Sequence, residues 1–376
     1  MVTNSDQNIN PLRDLLYEIG NLNPPQYVWQ WFFRYFAGGT NNFKDEPVDL
    51  LENYENLFLM AMKTLEYRYS TQQYAKIIRD LMTPDYTYYF VGDTHGSFDD
   101  TYLIIDYFIK VFQVNPKVKI VWIGDMVDRN PYDLQNLAFI LSFWILFPDN
   151  VFILRGNHED SSVCSRYGFS QHLYEKAQSR EKFESIWKLI TNFFSKLPLG
   201  LIFQSGNKKG LVFHGGIPFD VANYHPVNLD EIEQYLNCYQ LEHFDMDVYS
   251  QTILWADPDP QLSEPVAPTP RTGRPRFSQQ AFSEFMSVNK FDLMIRGHQK
   301  FKSGYQLFWN NQLISLFSTS TYDGRKIGYA RFLRLFPNSP ISEIGPEEEG
   351  KQGILWVNGE FLEQQLAKYY NASTKS

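Results

Sequence analysis

The first sustained pattern of apolar and polar positions runs over residues 46–69, where Leu50, Leu51, Tyr54, Leu57, Phe58, Met60, Ala61 and Leu65 recur at near-helical spacing. The spacing predicts an amphipathic helix. Gly38, Gly39 and the Asn41-Asn42 pair punctuate the chain before it and separate it from an aromatic stretch. Residues 1–84 therefore read as a helical N-terminal extension. From Tyr88 the pattern changes to short apolar runs rich in β-formers, alternating with longer amphipathic segments, as in an α/β domain.

Five of those runs share one feature. Tyr88-Tyr89-Phe90-Val91, residues 118–123, residues 151–154, Leu211-Val212-Phe213 and Leu293-Met294-Ile295 each lead within a few residues to Gly, Asp, His or Asn. In open α/β sheets ligands bind beyond the carboxyl ends of strands, so five polar clusters are expected to converge on one edge. Residues 257–275 hold prolines at 258, 260, 265, 268, 270 and 275 and read as a long irregular loop. Residues 337–353 are again loop-like and acidic at Glu347-Glu348-Glu349. A hairpin reading follows, with an apolar run at 354–357, a turn at Asn358-Gly359, and a short strand or helix over 360–370.

Composition narrows the class. With 43% hydrophobic residues, 31 Phe, 24 Tyr and 8 Trp, the 376-residue chain has ample material for a core, which excludes a disordered or collagen-like protein. The length allows two or three domains, or one large domain with extensions. Acidic residues outnumber basic ones, 43 to 34, for a net charge of −9 that argues against a general nucleic-acid binder. A phosphorylated ligand must find a local basic site. Two cysteines, Cys164 and Cys238, exclude by count a disulfide framework and a Cys-based zinc site, and both read as small core residues or as incidental.

The first ten residues carry no basic run ahead of an apolar stretch, so no secretory signal is visible. No window approaches the roughly 18 apolar residues of a spanning helix. The expectation is a soluble cytoplasmic protein, with nuclear access in a eukaryotic cell, and neither membrane nor nucleic acid as partner. Residues 27–36 hold seven aromatics, Tyr27, Trp29, Trp31, Phe32, Phe33, Tyr35 and Phe36. Packing against the main domain is the first reading, and docking of a regulatory protein partner the second. Asn371-Ala372-Ser373 fits a glycosylation acceptor, which an intracellular chain would not use.

In chain order the polar clusters are Gly92-Asp93-Thr94-His95-Gly96, Gly124-Asp125-Met126-Val127-Asp128-Arg129, Arg155-Gly156-Asn157-His158-Glu159, His214-Gly215-Gly216 and Arg296-Gly297-His298. They supply carboxylates, an amide oxygen and imidazoles, a ligand set suited to zinc, iron or manganese. Four of the seven histidines, 95, 158, 214 and 298, lie in them. A lone Asp-x-His is ordinary turn chemistry, and a lone buried His usually bonds a carbonyl. Five such clusters at strand ends, in this order, point to a metal centre.

The clusters resemble those of the phosphoprotein phosphatase family of serine/threonine protein phosphatases, within the calcineurin-like metallophosphoesterases. The resemblance runs from about residue 60 to 335 and includes Tyr167-Gly168-Phe169, Trp187, Phe193-Phe194, Leu197-Pro198, Leu254-Trp255-Ala256-Asp257-Pro258, Phe317-Ser318 and Tyr322-Asp323-Gly324. It implies an α/β fold, a β-sandwich of two mixed sheets flanked by helices, with a dinuclear metal centre at the strand carboxyl ends. It assigns residues 85–336 to a catalytic domain and 337–376 to a C-terminal extension. Two divalent ions are implied, manganese foremost in vitro, with iron and zinc also suited. By the resemblance the first ion would take Asp93, His95 and Asp125, and the second Asp125, Asn157, His214 and His298. Two ions roughly 3.5–4 Å apart lower the pKa of a shared water and clamp the phosphoryl oxygens during in-line attack. His158 would protonate the leaving alkoxide, with Asp128 holding its other ring nitrogen. Arg129 and Arg271 would bind phosphate together with Asn157. Arg271 is chosen because it stands six residues before Phe277, the family's Arg-x5-Phe spacing. Tyr322 would overhang the metals. Phosphoproteins are the implied substrates.

The departures are informative. Asn130 stands where the family usually has Gly after Asp-Arg, and Asn is the next best residue at positive φ, so the turn is expected to survive. Asp323 replaces the family's Cys on the overhanging loop, placing a negative charge near the mouth that is expected to disfavour acidic flanks on a phosphopeptide. Two other functions fit parts of the pattern. A dinucleoside polyphosphate hydrolase shares the metal clusters, but Glu159, the 254–258 segment and the Tyr322 loop look like protein phosphatases. A catalytically silent phosphoprotein-binding scaffold is expected to have lost a ligand or the acid, and none of Asp93, His95, Asp125, Asp128, Asn157, His158, His214 or His298 is missing.

Overall fold

A computed structural model of the chain describes residues 50–70, 76–80, 84–236 and 247–373; the aromatic stretch at 27–36, the punctuation at 38–42 and Cys238 lie outside them. The first described element is helix α1 (Leu50–Ser70), then β1 (Ile77–Asp80), β2 (Thr87–Val91), α2 (Phe98–Val114), β3 (Val118–Trp122), α3 (Asp133–Leu146), β4 (Val151–Ile153), α4 (Phe169–Ala177), α5 (Arg180–Lys196), β5 (Gly200–Ser205) and β6 (Lys208–Phe213). The chain continues with α6 (Val248–Trp255), β7 (Asp257–Pro258), β8 (Val266–Pro268), β9 (Pro275–Phe277), α7 (Gln279–Asn289), β10 (Leu293–Arg296), β11 (Tyr305–Phe308) and β12 (Leu313–Leu316). It closes with β13 (Thr321–Tyr322), β14 (Arg325–Lys326), β15 (Arg331–Leu335), β16 (Ile344–Pro346), β17 (Gln352–Trp356) and α8 (Gly359–Ser373).

Two six-stranded mixed sheets, β1-β5-β6-β10-β12-β11 and β16-β17-β15-β2-β3-β4, form the centre. Side chains alternate across a strand, and both faces of the first sheet are buried, so each of its strands feeds two cores. Leu201, Phe203, Val212, Leu293, Ile295, Ile314 and Leu316 point between the sheets. Their alternates Ile202, Leu211, Phe213, Met294 and Leu313 face a second core with residues of α6 and α7. Between the sheets, Phe203 lies 5.0 Å, centroid to centroid, from both Tyr88 and Phe90 of β2. The architecture is a β-sandwich flanked by helices.

Helix α1 buries Tyr54, Leu57, Phe58, Ala61 and Leu65, the i, i+3, i+4, i+7 stripe of its sequence, against α3 and α5. The C-terminal segment completes the second sheet: β17 pairs antiparallel with β15, β16 parallel with β17, and α8 lies on α2. Asn358-Gly359 opens this helix rather than a hairpin turn. The Asn358 side chain accepts the Phe361 amide at 3.0 Å, a helix-capping bond that a two-residue hairpin turn would not make. The proline-rich stretch expected to be an irregular loop carries a small sheet, β7-β9-β8. Its strands are too short to show a period in sequence.

Strands β2, β3 and β4 run parallel, as do β6, β10 and β12 in the other sheet. A bridge between Asp93 and Phe317 joins the ends of β2 and β12 across the sandwich. The segments that follow these strands thus meet at one edge.

Candidate metal centre and active site

Five loops build the site, and their backbones must come closer than side chains normally permit. A Cβ on Gly156 would stand 2.3 Å from the Asp125 nitrogen, and one on Gly297 would stand 2.3 Å from Asp93 Oδ1. Glycine is needed at these two positions for close approach rather than for a special φ. The buried Glu159 carboxylate then ties the β3 loop to the β4 loop, accepting the amides of Asp125 (2.7 Å), Met126 (2.8 Å) and Gly156 (2.8 Å). Asp125 O accepts the amides of Thr94 and His95 at 3.1 and 2.9 Å. Site residues hold strained backbone: His95, Asp125, Asp128, Arg129 and His298 all have positive φ, between 42° and 76°.

Backbone carbonyls fix two of the imidazoles. His95 Nδ1–H donates to Val127 O (3.0 Å) and His214 Nδ1–H to Ile123 O (2.9 Å), which leaves both Nε2 atoms facing inward. His95 Nε2 lies 3.8 Å from Asp93 Oδ2 and 3.5 Å from Asp125 Oδ2. His214 Nε2 lies 3.3 Å from Asp125 Oδ1 and 2.9 Å from Asn157 Oδ1, and His298 Nδ1 lies 2.7 Å from that same amide oxygen. Asp125 therefore stands between two groups of donor atoms, His95 with His158 and His214 with His298, each group within 4.8 Å.

The electrostatics call for positive charge at this point. Burial, reinforced by the Asp125 charge, pushes Asp93 up to about 7, and the same two causes push Glu159 up to about 7. Burial acts against a charged His214, yet the Asp125 charge and hydrogen bond hold it up to about 9. His95 is drawn down to about 3 by burial, with the Asp125 charge only partly opposing. Asp93 Oδ2 and His298 Nε2 are buried with no hydrogen-bond partner among the described residues. Carboxylate oxygens, an amide oxygen and imidazole nitrogens crowded around orphaned atoms suit a borderline-to-hard divalent cation. The residues present fit such an ion.

His158 stands beside this group. Its Nδ1 bonds Asp128 Oδ2 at 2.6 Å, its backbone amide donates to Asp125 Oδ1 at 2.9 Å, and its ring lies 4.8 Å from His95 and 5.2 Å from Tyr167. Burial opposes its protonation, but the Asp125 charge and the Asp128 bond outweigh it and the net shift is upward. Asp128 is held in turn by the Phe169 amide at 3.0 Å. Arg129 lies over Tyr167 (3.9 Å) and Tyr322 (5.0 Å), with Nη1 3.6 Å from Asp323 Oδ1. Tyr322 meets His95 edge-on at 5.3 Å.

Arg271 and Arg274 are both exposed on the turn between β8 and β9. Arg274, three residues on, stands over Trp255 at 5.3 Å, and Trp255 meets His298 edge-on at 5.7 Å. The Arg274 charge reaches Asp257 and His298.

The turn at 128–130 differs from expectation. Positive φ falls on Asp128 (70°) and Arg129 (76°), and Asn130 is not in that region. Asn130 works through its side chain: Nδ2 donates to His95 O (2.8 Å) and Thr321 O (3.0 Å), and Oδ1 accepts the Gly324 amide (3.2 Å). A glycine there could not pin the overhanging loop to the β2 loop.

Two residues quoted in the sequence clusters without a structural role, Arg296 and Glu159, turn out to be supports. Arg296 is fully buried, donating to Gly215 O, to Ser315 Oγ at 3.0 Å and to Asp257 Oδ1 at 3.0 Å, and so locks three segments together. Glu159 does the same from the β4 side. The available signal was charge abutting an apolar run, since a charged residue at a buried strand end must be paired.

A family model described as calcineurin-like phosphoesterase matches residues 86–300. A protein of Encephalitozoon cuniculi (strain GB-M1) named probable serine/threonine-protein phosphatase is 31% identical over 261 residues, 68% of this chain and 52% of that protein. The serine/threonine-protein phosphatase PP2A-like PPG1 of Candida albicans is 28% identical over 275 residues, 72% of this chain and 61% of that protein. The chain thus spans less than two thirds of the length of either relative. Among solved structures, a Saccharomyces cerevisiae protein serine/threonine phosphatase with similarity to human phosphatase PP5 superposes with a TM-score of 0.64 at 24% identity, over 82% of this chain and 89% of that one.

Proposed function

The chain belongs to the calcineurin-like phosphoesterase family, and from that premise we propose that it is a metal-dependent phosphatase acting on phosphoserine and phosphothreonine in proteins. The observation that carries the reading is the placement of the His158–Asp128 pair directly beside two donor groups that share Asp125. The names of the two sequence relatives support phosphoserine and phosphothreonine as the substrate class.

Asp93, His95 and Asp125 would hold one divalent ion, and Asp125, Asn157, His214 and His298 the other, with manganese, iron and zinc all compatible. The chemistry such ions supply when bound is activation of water near neutral pH and neutralisation of phosphoryl oxygens. The chain's own residues do the rest. His158, protonated and oriented through Nδ1 by Asp128, presents Nε2–H to the departing serine or threonine oxygen, which is too basic to leave without a proton. Arg129, stacked on Tyr167, offers a planar guanidinium that stays charged and can grip two phosphate oxygens. Asn157 would hold the ion through its amide oxygen and turn its amide N–H to a phosphate oxygen, and Tyr322 closes the mouth above His95. Arg271, by its spacing from Phe277, and Arg274, which stands over Trp255, are the two candidates for a second phosphate-binding cation on the far side.

The test compares substrates side by side. Purified protein with manganese is expected to release phosphate from a phosphothreonine peptide, and chelator is expected to abolish release. Hydrolysis of diadenosine tetraphosphate without any phosphopeptide turnover would overturn the substrate class.

A further inference from the structure

The rim around Tyr322 carries cations that the catalytic reading leaves unused. Two cations stand over this one ring, Lys300 Nζ at 4.5 Å and Arg129 Cζ at 5.0 Å from its centroid. Arg325 lies directly opposite Tyr322 in the β13–β14 ribbon, and cross-strand partners project from the same face. Lys326, opposite Thr321, projects from the other face of the ribbon. Lys300, Arg325 and Lys326 are exposed. No carboxylate of the described residues pairs with them, whereas Arg331 and Arg334 just beyond are matched by Glu348 and Glu347.

Residues 299–329 carry Lys300, Lys302, Arg325 and Lys326 against Asp323 alone, in a chain of net charge −9. Asp323, with Arg129 Nη1 3.6 Å away, is one carboxylate against Lys300 and Arg325 as well, both on the same rim. The expectation that Asp323 repels acidic flanks looked at one residue. Its surroundings reverse the sign, because like charges gathered around one ring repel each other and an incoming anion relieves that repulsion.

We infer that Lys300 and Arg325, flanking Tyr322, form a subsite for an anionic side chain next to the scissile phosphate, so that the enzyme selects phosphosites with acidic neighbours. The inference rests on the proposed protein-phosphatase reading. The shared chemistry is a negative side chain within one or two residues of the phosphothreonine, supplied by Asp or Glu or by a second phosphoresidue. Exposed pairs of this kind are each weak and are screened by salt, so the effect is a preference rather than a requirement.

Phosphothreonine peptides differing only in Glu against Gln beside the phosphoresidue measure it. At low salt, kcat/KM is expected to be about threefold to fivefold higher for the Glu peptide, and the ratio to shrink in concentrated salt. A peptide with a neighbouring phosphoserine, of charge near −2, is expected to gain more than the Glu peptide; a gain for that peptide alone would identify the second phosphate as the ligand. In the double variant Lys300→Gln, Arg325→Gln every ratio is expected to fall to about one. Each ratio is taken within one protein, so loss of folded or metal-loaded enzyme cancels. Equal rates on all peptides, or ratios unchanged in the variant, would overturn the subsite and leave the phosphatase reading standing. Turnover of phenyl phosphate with none of any peptide would bring down both.

Discussion

His158 and His172 each bond a buried aspartate through Nδ1, Asp128 at 2.6 Å and Asp133 at 2.9 Å, and both imidazoles are shifted toward the charged form. The difference lies on the other side of each ring. The His158 side chain is 7% exposed, set between His95 and Tyr167 with the metal-ligand groups beside it. The His172 side chain is 28% exposed and lies on α4, its ring against Gly168. A histidine–aspartate pair is a device for orienting and charging an imidazole. Whether it does chemistry depends on what the second nitrogen can reach.

The sharpest way to break this comparison is to cut both pairs identically. On the proposed mechanism His158→Asn is expected to lower kcat by about 10²- to 10⁴-fold, the usual worth of a positioned proton donor. His172→Asn is expected to leave kcat within about twofold, as a substitution away from the reacting groups. Steady-state assay of the two variants against one phosphopeptide decides it. Comparable losses would mean that the pairs are both structural, and an active His158→Asn would remove the acid from the mechanism.

A second asymmetry concerns cations. Asp93 and Glu159, both driven up to about 7, surround one side of the comparison, and neither lies near His172 in the chain. Below that pH Asp93 retains a proton that an incoming divalent ion must displace. Manganese is therefore expected to bind more tightly as pH rises, by up to about tenfold per unit between about pH 6 and about pH 7.5. The manganese-induced rise in thermal midpoint, measured across that range, reads this directly. The trend is expected to persist in His172→Asn and to become shallower in Asp93→Asn, where the proton on His214, raised to about 9, still has to be displaced; a pH-independent midpoint shift would refute it.

How far the sequence foretold these features follows from how local each one is. The strand ends with their Gly, Asp, Asn and His clusters were legible because a short apolar run closing on metal-ligand chemistry is written in consecutive residues. The stripe of α1 was legible for the same reason, with Tyr54, Leu57, Phe58, Ala61 and Leu65 all on its buried face. Asn130 was misjudged because its work is done across the chain, on His95 and Thr321, and no local rule of φ speaks to that. Arg271 was chosen by its spacing to Phe277, and spacing does not determine which side chain of a turn lies over Trp255, where Arg274 stands. The Arg296–Asp257 pair joins β10 to β7, two elements brought together only by folding.

The smallest effect tests the peripheral pair by itself. His172 is raised first by its hydrogen bond to Asp133, against burial that lowers it, so its folded pKa exceeds its unfolded value near 6.5. A histidine shifted in that direction contributes stability that is complete below the unfolded pKa and is lost as pH climbs through the folded one. Asp133 is itself shifted upward by burial, against the His172 hydrogen bond that lowers it. His158 and His214 are raised as well and give the whole protein a slope of the same sign, so only a difference isolates His172. Unfolding free energies from urea titration of the parent and of His172→Gln are expected to differ by about 1 kcal/mol at about pH 6 and to converge as pH rises to about 8.5, the part-exposed setting keeping the pair modest. A gap of constant size across that range would mean that His172 contributes packing rather than charge, and the two pairs would then share geometry alone.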